Sequence, residues 1–349
     1  GHYQVGKALE AWLRQFNKNF ECESIDIFSY AFGKIETIVS RSYLRAIQYV
    51  PSVYSWIYKK NAIENDRYVF YDWLFENAML KLIDKKKPDW LICTHALPSY
   101  ILNQLKQKEK VQIPIVNVYT DYFINNLWGI DQIDLHLVPD EYFQKQLIQK
   151  GVNHDKIFVT GIPVHPSIIR NTQDKQPFRS SLNILVTGGS LGVGKIESMI
   201  TQLRPSSSLQ YFVLCGKNQR LYDTLKTKVA YVTPLPYIES PDVINHLYNH
   251  MHGIVTKPGG VTITESLTKR IPIFIYHALP GQEEMNLHYL LSNDLAYDLR
   301  EAMNKGNINE ILYSKLNSEE KMNQYRKKVN FFHQRVSTNN MKKFIDQIG

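Results

Sequence analysis

Two short stretches concentrate side chains suited to a charged ligand rich in hydroxyls. In Thr256-Lys257-Pro258-Gly259-Gly260-Val261-Thr262-Ile263-Thr264-Glu265, a β-branched run ends in a proline and two glycines, residues that permit a tight turn and close backbone approach. The pattern predicts a helix beginning near Thr262. A helix start that follows a strand offers unpaired N–H groups and a partial positive charge, which suits a diphosphate. Glu265, one turn in, has the acceptors to take both hydroxyls of a ribose. The Thr262 to Glu265 spacing equally fits a capping box, in which the glutamate only bonds back to the helix start. The second stretch, Pro280-Gly281-Gln282-Glu283 with Asn286 one helical turn on, puts two amides and a carboxylate at a helix mouth. Sugar hydroxyls need such mixed donors and acceptors, although an ordinary N-terminal turn has the same composition.

A third glycine-rich stretch, Gly188-Gly189-Ser190-Leu191-Gly192-Val193-Gly194-Lys195, follows the apolar run Asn183–Thr187. From Gly189 it meets the first seven positions of a P-loop. Position eight is Ile196, so the hydroxyl that would hold magnesium is missing. A phosphate-cradling loop survives that objection; a P-loop kinase or ATPase stays as a third reading, opposed by Ile196.

Taken in order, TKPGG, T-x-x-E, PGQE and Asn286 resemble the nucleotide-sugar site of the diacylglycerol glycosyltransferases. These are the monogalactosyldiacylglycerol synthases and the bacterial processive diacylglycerol glucosyltransferases, which are similar to the peptidoglycan GlcNAc transferase MurG. The resemblance implies that Glu265 holds the ribose of UDP and that Gln282 and Glu283 hold the donor sugar. It implies a donor site completed by Pro258, Gly259, Gly260, Thr262, Gly281 and Asn286. The family's GGxLG corresponds to Gly188, Gly189, Ser190 and Leu191 beside the diphosphate, its Cys-Gly turn to Gly216, and its uracil-reading backbone to the segment around Ile238.

Toward the amino end, Gly1-His2 matches the close of the family's glycine-rich loop, whose histidine faces the acceptor hydroxyl. By that resemblance His2 is the candidate general base, since imidazole accepts a proton near neutral pH; a helix-capping or terminal histidine is the plainer alternative. Thr120-Asp121 resembles the family's Thr-Asp-Phe, with Tyr122 in place of phenylalanine. Asp121, at a strand's carboxyl end, either orients His2, acts as the base, or merely caps a turn. Asn125 and Ile130 stand where the family has histidines around Trp128, and His165 replaces its arginine in TGIP-x-x-P. These departures bear on the acceptor.

The elements that must position these residues follow from periodicity. Val5, Ala8, Leu9, Trp12, Leu13 and Phe16 lie at helical spacing. Ser24–Phe28 reads as a strand, as do Trp90–Thr94, Ile113–Tyr119, Leu135–Val138, Tyr211–Leu214 and Ala230–Val232, with helices between. The stretch from Phe28 to Trp56, with Arg41, Tyr43, Tyr54 and Trp56, places aromatic rings near cations, as at a membrane–water interface; core-facing helices read the same way.

With 349 residues and 44% hydrophobic content, the chain is long enough for two globular domains. The expected fold class is α/β: two Rossmann-like domains facing a cleft, the GT-B arrangement. Residues 1–170 form the acceptor domain, whose first strand is expected upstream of Gly1; 171–181 form a polar linker, 182–320 the UDP-sugar domain, and 321–349 a basic helix returning to the first domain. A net charge of +8 and a pI near 9.1 favour an anionic partner. Three isolated cysteines fit a reducing cytosol. No run approaches the roughly 18 apolar residues of a membrane span.

The reading is an inverting UDP-hexose transferase that acts on diacylglycerol or another lipid hydroxyl. The protein is expected in the cytoplasm, peripheral on the inner face of an anionic membrane, with no nucleic acid as partner. No Asp-x-Asp motif occurs, so neither a catalytic metal nor another cofactor is expected. A UDP-GlcNAc 2-epimerase, built on the same two domains but needing no lipid surface, is the second reading.

Overall fold

The computed structural model describes residues 1–16, 19–32, 69–169, 181–189, 196–336 and 338–349. The chain divides into two compact units, Gly1–Pro163 with Arg335–Gly349, and Val164–Gln334.

The first unit opens with helix α1 (His2–Phe16), whose buried stripe is Val5, Ala8, Leu9 and Leu13. The strand expected over Ser24–Phe28 is instead coil leading into helix α2 (Ile27–Phe32). Asp26 explains the difference: its carboxylate accepts from Ser29 N (3.4 Å) and its carbonyl from Tyr30 N (2.9 Å). Such capping starts a helix where a single polar–apolar alternation had read as extended. Arg41, Tyr43, Tyr54 and Trp56, and most of the aromatic stretch with them, lie outside the described residues.

Helix α3 (Val69–Lys86) precedes strand β1 (Leu91–Cys93), helix α4 (Ala96–Gln107), strands β2 (Ile115–Val118) and β3 (Leu135–Val138), helix α5 (Glu141–Gln149) and strand β4 (Ile157–Val159). These strands form a parallel sheet in the order β1-β2-β3-β4. Every residue of β2 and β3 is buried, as expected when both faces of a parallel sheet are covered.

The loop after β2 is fixed by side chains. Asn117 Nδ2 donates to Gly129 O (2.8 Å), Gly129 N to Ser99 Oγ (3.0 Å), and Gln132 N to Asn103 Oδ1 (2.9 Å). Gly129 lies so close to α4 that a Cβ there would meet Asn103 Cβ at 2.4 Å and Ser99 O at 2.7 Å.

The second unit contains strand β5 (Leu182–Thr187), helix α6 (Ile196–Gln202), strand β6 (Leu209–Leu214), helix α7 (Gln219–Lys228), strand β7 (Val232–Leu235), helix α8 (Pro241–His250), strand β8 (Gly253–Thr256), helix α9 (Gly260–Thr268), strand β9 (Ile273–Ile275), helix α10 (Gln282–Ser292) and strand β10 (Tyr297–Asp298). Helices α11 (Arg300–Lys305), α12 (Ile308–Leu316) and α13 (Glu319–Arg335) follow. The strands are parallel in the order β10-β9-β8-β5-β6-β7. The chain builds outward from β5 in one direction, then returns to pair β8 against β5 and builds the other way. That reversal is the topological switch point at which doubly wound sheets bind ligands. Ile184, Val186, Tyr211, Val213, Val255 and Phe274 form its core with Ile196 and Met199 of α6 and Leu312 and Leu316 of α12.

The helical tail is two helices. After α13, helix α14 (Thr338–Ile348) buries Met341, Phe344, Ile345 and Ile348 within the first unit. The Phe344 ring meets Phe158 of β4 edge-on at 5.9 Å, and Asn340 Nδ2 donates to Val159 O at 3.0 Å. At this return the fully buried Asp140 pairs with Arg335 (3.1 Å) while its carboxylate caps α5 by accepting from Tyr142 N.

Gly129→Ala should destabilise the protein by about 1–3 kcal/mol, because the added methyl overpacks backbone and a buried side chain. Chemical denaturation would register this as a lower midpoint, and an unchanged midpoint would mean the loop yields freely.

Candidate functional site

In the second unit the described donor candidates lie along one edge, the carboxyl ends of adjacent parallel strands. Register pairs Thr187 with Leu214, Leu214 with Leu235, Val186 with Val255 and Thr256 with Ile275. Ile238 therefore follows β7, Gly216 follows β6, Gly188 and Gly189 follow β5, Pro258–Gly260 follow β8, and Gly281–Asn286 follow β9. Ser190 and Leu191 lie outside the described residues. Gly189 N is held by Thr187 Oγ1 at 3.1 Å.

The turns after β8 and β9 are tied together. Asn286, 1% exposed, donates from Nδ2 to Pro258 O at 2.9 Å. Lys257 and Glu283, both largely buried, form an ion pair at 2.9 Å, and the other Glu283 oxygen accepts from Leu279 N at 2.7 Å. Gly281, at the start of α10, has φ 92° and ψ −114°, a conformation essentially restricted to glycine. Lys257 was visible within TKPGG, but spacing alone assigns it no partner.

The capping-box alternative for Glu265 does not hold. Helix α9 starts at Gly260 with Gly259 as its cap, two residues before the expected start. Thr262 lies inside the first turn, where its carbonyl accepts from Ser266 Oγ at 2.7 Å. Glycine without a Cβ permits the earlier entry into the helix. Glu265 bonds instead across to α8: Tyr248 Oη donates to Oε2 at 2.8 Å. Among the described residues Oε1 has no hydrogen-bond partner, and the residue keeps part of its surface open. Burial pushes the carboxyl up from its ordinary 4.5 to about 7, against the lowering effect of the Tyr248 bond.

In the first unit the carboxyl edge gathers His2, His95, Thr120 and Asp121. His2 Nδ1 lies 2.8 Å from Thr120 Oγ1, and Thr120 Oγ1 lies 3.3 Å from Asp121 Oδ2. One hydroxyl thus bridges the two predicted groups, although its single proton serves only one of them at a time. His95 was not foreseen. Its Nδ1 accepts from Leu97 N at 3.1 Å as the cap of α4, and its ring meets that of His2 edge-on at 4.6 Å. The bond to Leu97 fixes the neutral tautomer of His95 with its proton on Nε2. Burial lowers His2 to about 4 against a hydrogen bond with the Thr94 backbone. Burial and the neighbouring His2 lower His95 to about 4, against Asp121 and Asp26. Both rings are neutral at physiological pH, the state in which imidazole accepts a proton. Where the family's histidines and arginine were expected, Asn125 closes a turn by accepting from Leu127 N (3.0 Å), and His165 accepts from Ser167 N (3.2 Å).

Two parallel carboxyl edges with these residues can be set beside known proteins. The profile of the family Monogalactosyldiacylglycerol (MGDG) synthase matches residues 2–164. "Uncharacterized glycosyltransferase YkoN" of Bacillus subtilis (strain 168) is 42% identical over 353 residues, spanning 100% of this chain and 94% of that protein. The chain belongs to the diacylglycerol glycosyltransferase family. This glycosyltransferase is also 28% identical to "Processive diacylglycerol beta-glucosyltransferase" of Staphylococcus carnosus (strain TM300), over 84% of the chain and 77% of that relative. The crystal structure of Acinetobacter baumannii MurG matches with a TM-score of 0.58 at 15% identity, over 100% of this chain and 96% of that one. The fold of this glycosyltransferase is therefore GT-B. Among the described residues no helix is long and apolar enough to cross a membrane.

A carboxyl whose folded pKa exceeds its unfolded value favours folding below the unfolded value and loses that contribution as pH rises through the folded one. For Glu265 the window runs from 4.5 to about 7, worth on the order of 3 kcal/mol at about 1.36 kcal/mol per unit. Glu265→Gln, which still accepts from Tyr248, should melt higher than the natural chain at pH 8 and at the same temperature at pH 4. Identical melting at pH 8 would show that the ionised carboxylate carries no such cost.

Proposed function

We propose that this glycosyltransferase moves a hexose from a UDP-sugar to a lipid hydroxyl, with diacylglycerol as acceptor and inversion at the anomeric carbon. The observation that carries the reading is Glu265, anchored through one oxygen, with the other oxygen unbonded among the described residues, at the switch point of a doubly wound sheet. A sugar nucleotide supplies both the ribose diol for that carboxylate and the diphosphate for the neighbouring helix starts. The acceptor class rests on the family and on the relative named as acting on diacylglycerol.

In this scheme the second unit holds the donor. Backbone N–H groups of the turns after β5 and β8, with the N-terminus of α9, face the diphosphate and stabilise the charge that develops as the sugar–phosphate bond breaks. Gln282 and Glu283 at the start of α10 meet the sugar. Lys257 holds Glu283 in an ion pair, which fixes the carboxylate while leaving acceptor capacity for a hydroxyl. The first unit supplies the base. His2 or Asp121, which contact one another through Thr120, takes the proton of the acceptor hydroxyl as its oxygen attacks the anomeric carbon opposite the leaving UDP. Helix starts and loop amides take the place of a metal on the leaving group in this scheme. The site of action is the cytoplasmic membrane surface, where a chain of net charge +8 meets anionic lipid.

A panel of UDP-sugars and lipid acceptors, read by mass spectrometry, tests the assignment. Product should form only with both substrates. Turnover of UDP-GlcNAc without acceptor would favour the 2-epimerase reading instead. Glu265→Ala should raise the donor KM roughly 10–100-fold with little change in kcat, the loss expected for hydrogen bonds to a charged group. An unchanged KM would remove Glu265 from the donor site. His2→Ala and Asp121→Asn should each lower kcat by about 10²–10⁴ at nearly constant donor KM; single-turnover rates near those of the natural chain would exclude both as the base.

A further inference from the structure

Helices α8 and α9 are joined by two polar rungs one helical turn apart. In the first, Tyr248 Oη donates to Glu265 Oε2 at 2.8 Å. In the second, Lys269 Nζ donates to Asn245 Oδ1 at 2.8 Å and to Ile169 O at 2.8 Å. Tyr248 and Lys269 are each 3% exposed. The second rung fastens the chain near its entry into this unit, since Asn245 Oδ1 also accepts from Ile169 N at 3.3 Å. The first rung ends on a carboxylate at the ligand edge.

The distribution of charge between the rungs is informative. A lysine stands four residues after Glu265, the spacing at which helical ion pairs form, yet its ammonium is spent on neutral oxygens. Glu265 receives a neutral hydroxyl instead. A tyrosine hydroxyl fixes the side chain without an ion pair, so above pH about 7, where Glu265 is ionised, the carboxylate remains a strong acceptor. An ionised carboxylate has about four lone-pair sites. Tyr248 uses one on Oε2, leaving the second there and both on Oε1 for a ligand with two adjacent hydroxyls.

We infer that Tyr248 is a positioning residue for nucleotide recognition, holding Glu265 in the orientation that receives a vicinal diol. Resting on the assignment of Glu265 to the ribose, this adds a cause for the selectivity that such a site requires. An unanchored glutamate loses rotamer freedom when it binds, whereas one already restrained has less to lose. Tyr248 should therefore contribute to affinity for the ribose hydroxyls and for no other part of the nucleotide.

Calorimetric titration of the full chain with UDP and with 2′-deoxy-UDP separates the possibilities, with thermal melting confirming that each variant is folded. The natural chain should prefer UDP about tenfold or more, and Tyr248→Phe should cut that preference to near one by weakening UDP alone. Glu265→Gln should do the same, and the double variant should be no worse than Glu265→Gln, because without the carboxylate the Tyr248 hydroxyl has no ribose acceptor left to position. If Glu265→Gln abolishes the preference while Tyr248→Phe retains it, or weakens both nucleotides equally, the positioning role is wrong and the ribose assignment stands. If Glu265→Gln itself retains the preference, the ribose assignment falls and the role of Tyr248 falls with it.

Discussion

The parallel pairing of β5 with β8 is the constraint on which the second unit turns. It joins strands far apart in sequence, and because both run the same way their carboxyl ends arrive side by side. Two loops composed independently, Gly188-Gly189 and Pro258-Gly259-Gly260, thereby open onto the same edge. An antiparallel pairing would have sent them to opposite ends. The first unit obeys the same rule, and for the same reason the residues after β1 and β2 bring His95 and Asp121 into one neighbourhood.

Each edge is built differently. The carboxyl edge of the second unit is clamped by polar bonds between the turns after β8 and β9, Asn286 to Pro258 and Lys257 to Glu283, and by Tyr248 to Glu265 between α8 and α9. The turns therefore hold one another in place. The edge in the first unit relies on burial, which keeps two imidazoles neutral in contact, and on a loop pinned at Gly129 against Ser99 and Asn117. Binding a charged diphosphate calls for rigid dipoles. Taking up a proton calls for an uncharged base.

Strand-and-turn chemistry was legible in the sequence because parallel strands are apolar runs closed by glycine or proline, and β5, β6 and β8 have that form. Motif order made legible which turns follow which strands of the second sheet, so that the described candidates fall on one edge. The expected strand at Ser24–Phe28 failed because the brief alternation Ser24-Ile25-Asp26-Ile27 cannot outweigh an aspartate poised to cap a helix. The start of α9 was misplaced by two residues because glycines read as the turn when they were its cap and first residue. Tyr248, His95 and Lys257 acquire their meaning only from contacts. The Tyr248 to Glu265 bond spans 17 residues and two helices, and no local pattern encodes such a partner.

The division of the polypeptide carries a consequence for its biogenesis. The second unit is one uninterrupted segment, whereas the first is assembled from both ends of the chain. During synthesis the second unit has all its residues before α14 has left the ribosome, while the nascent first unit still waits for the helix that covers β4 and for the arginine that meets Asp140. Until then an apolar strand edge and a carboxylate destined for the interior stand open to water or to chaperones. Maturation of the amino-terminal half thus waits on residues that lie beyond the whole second unit.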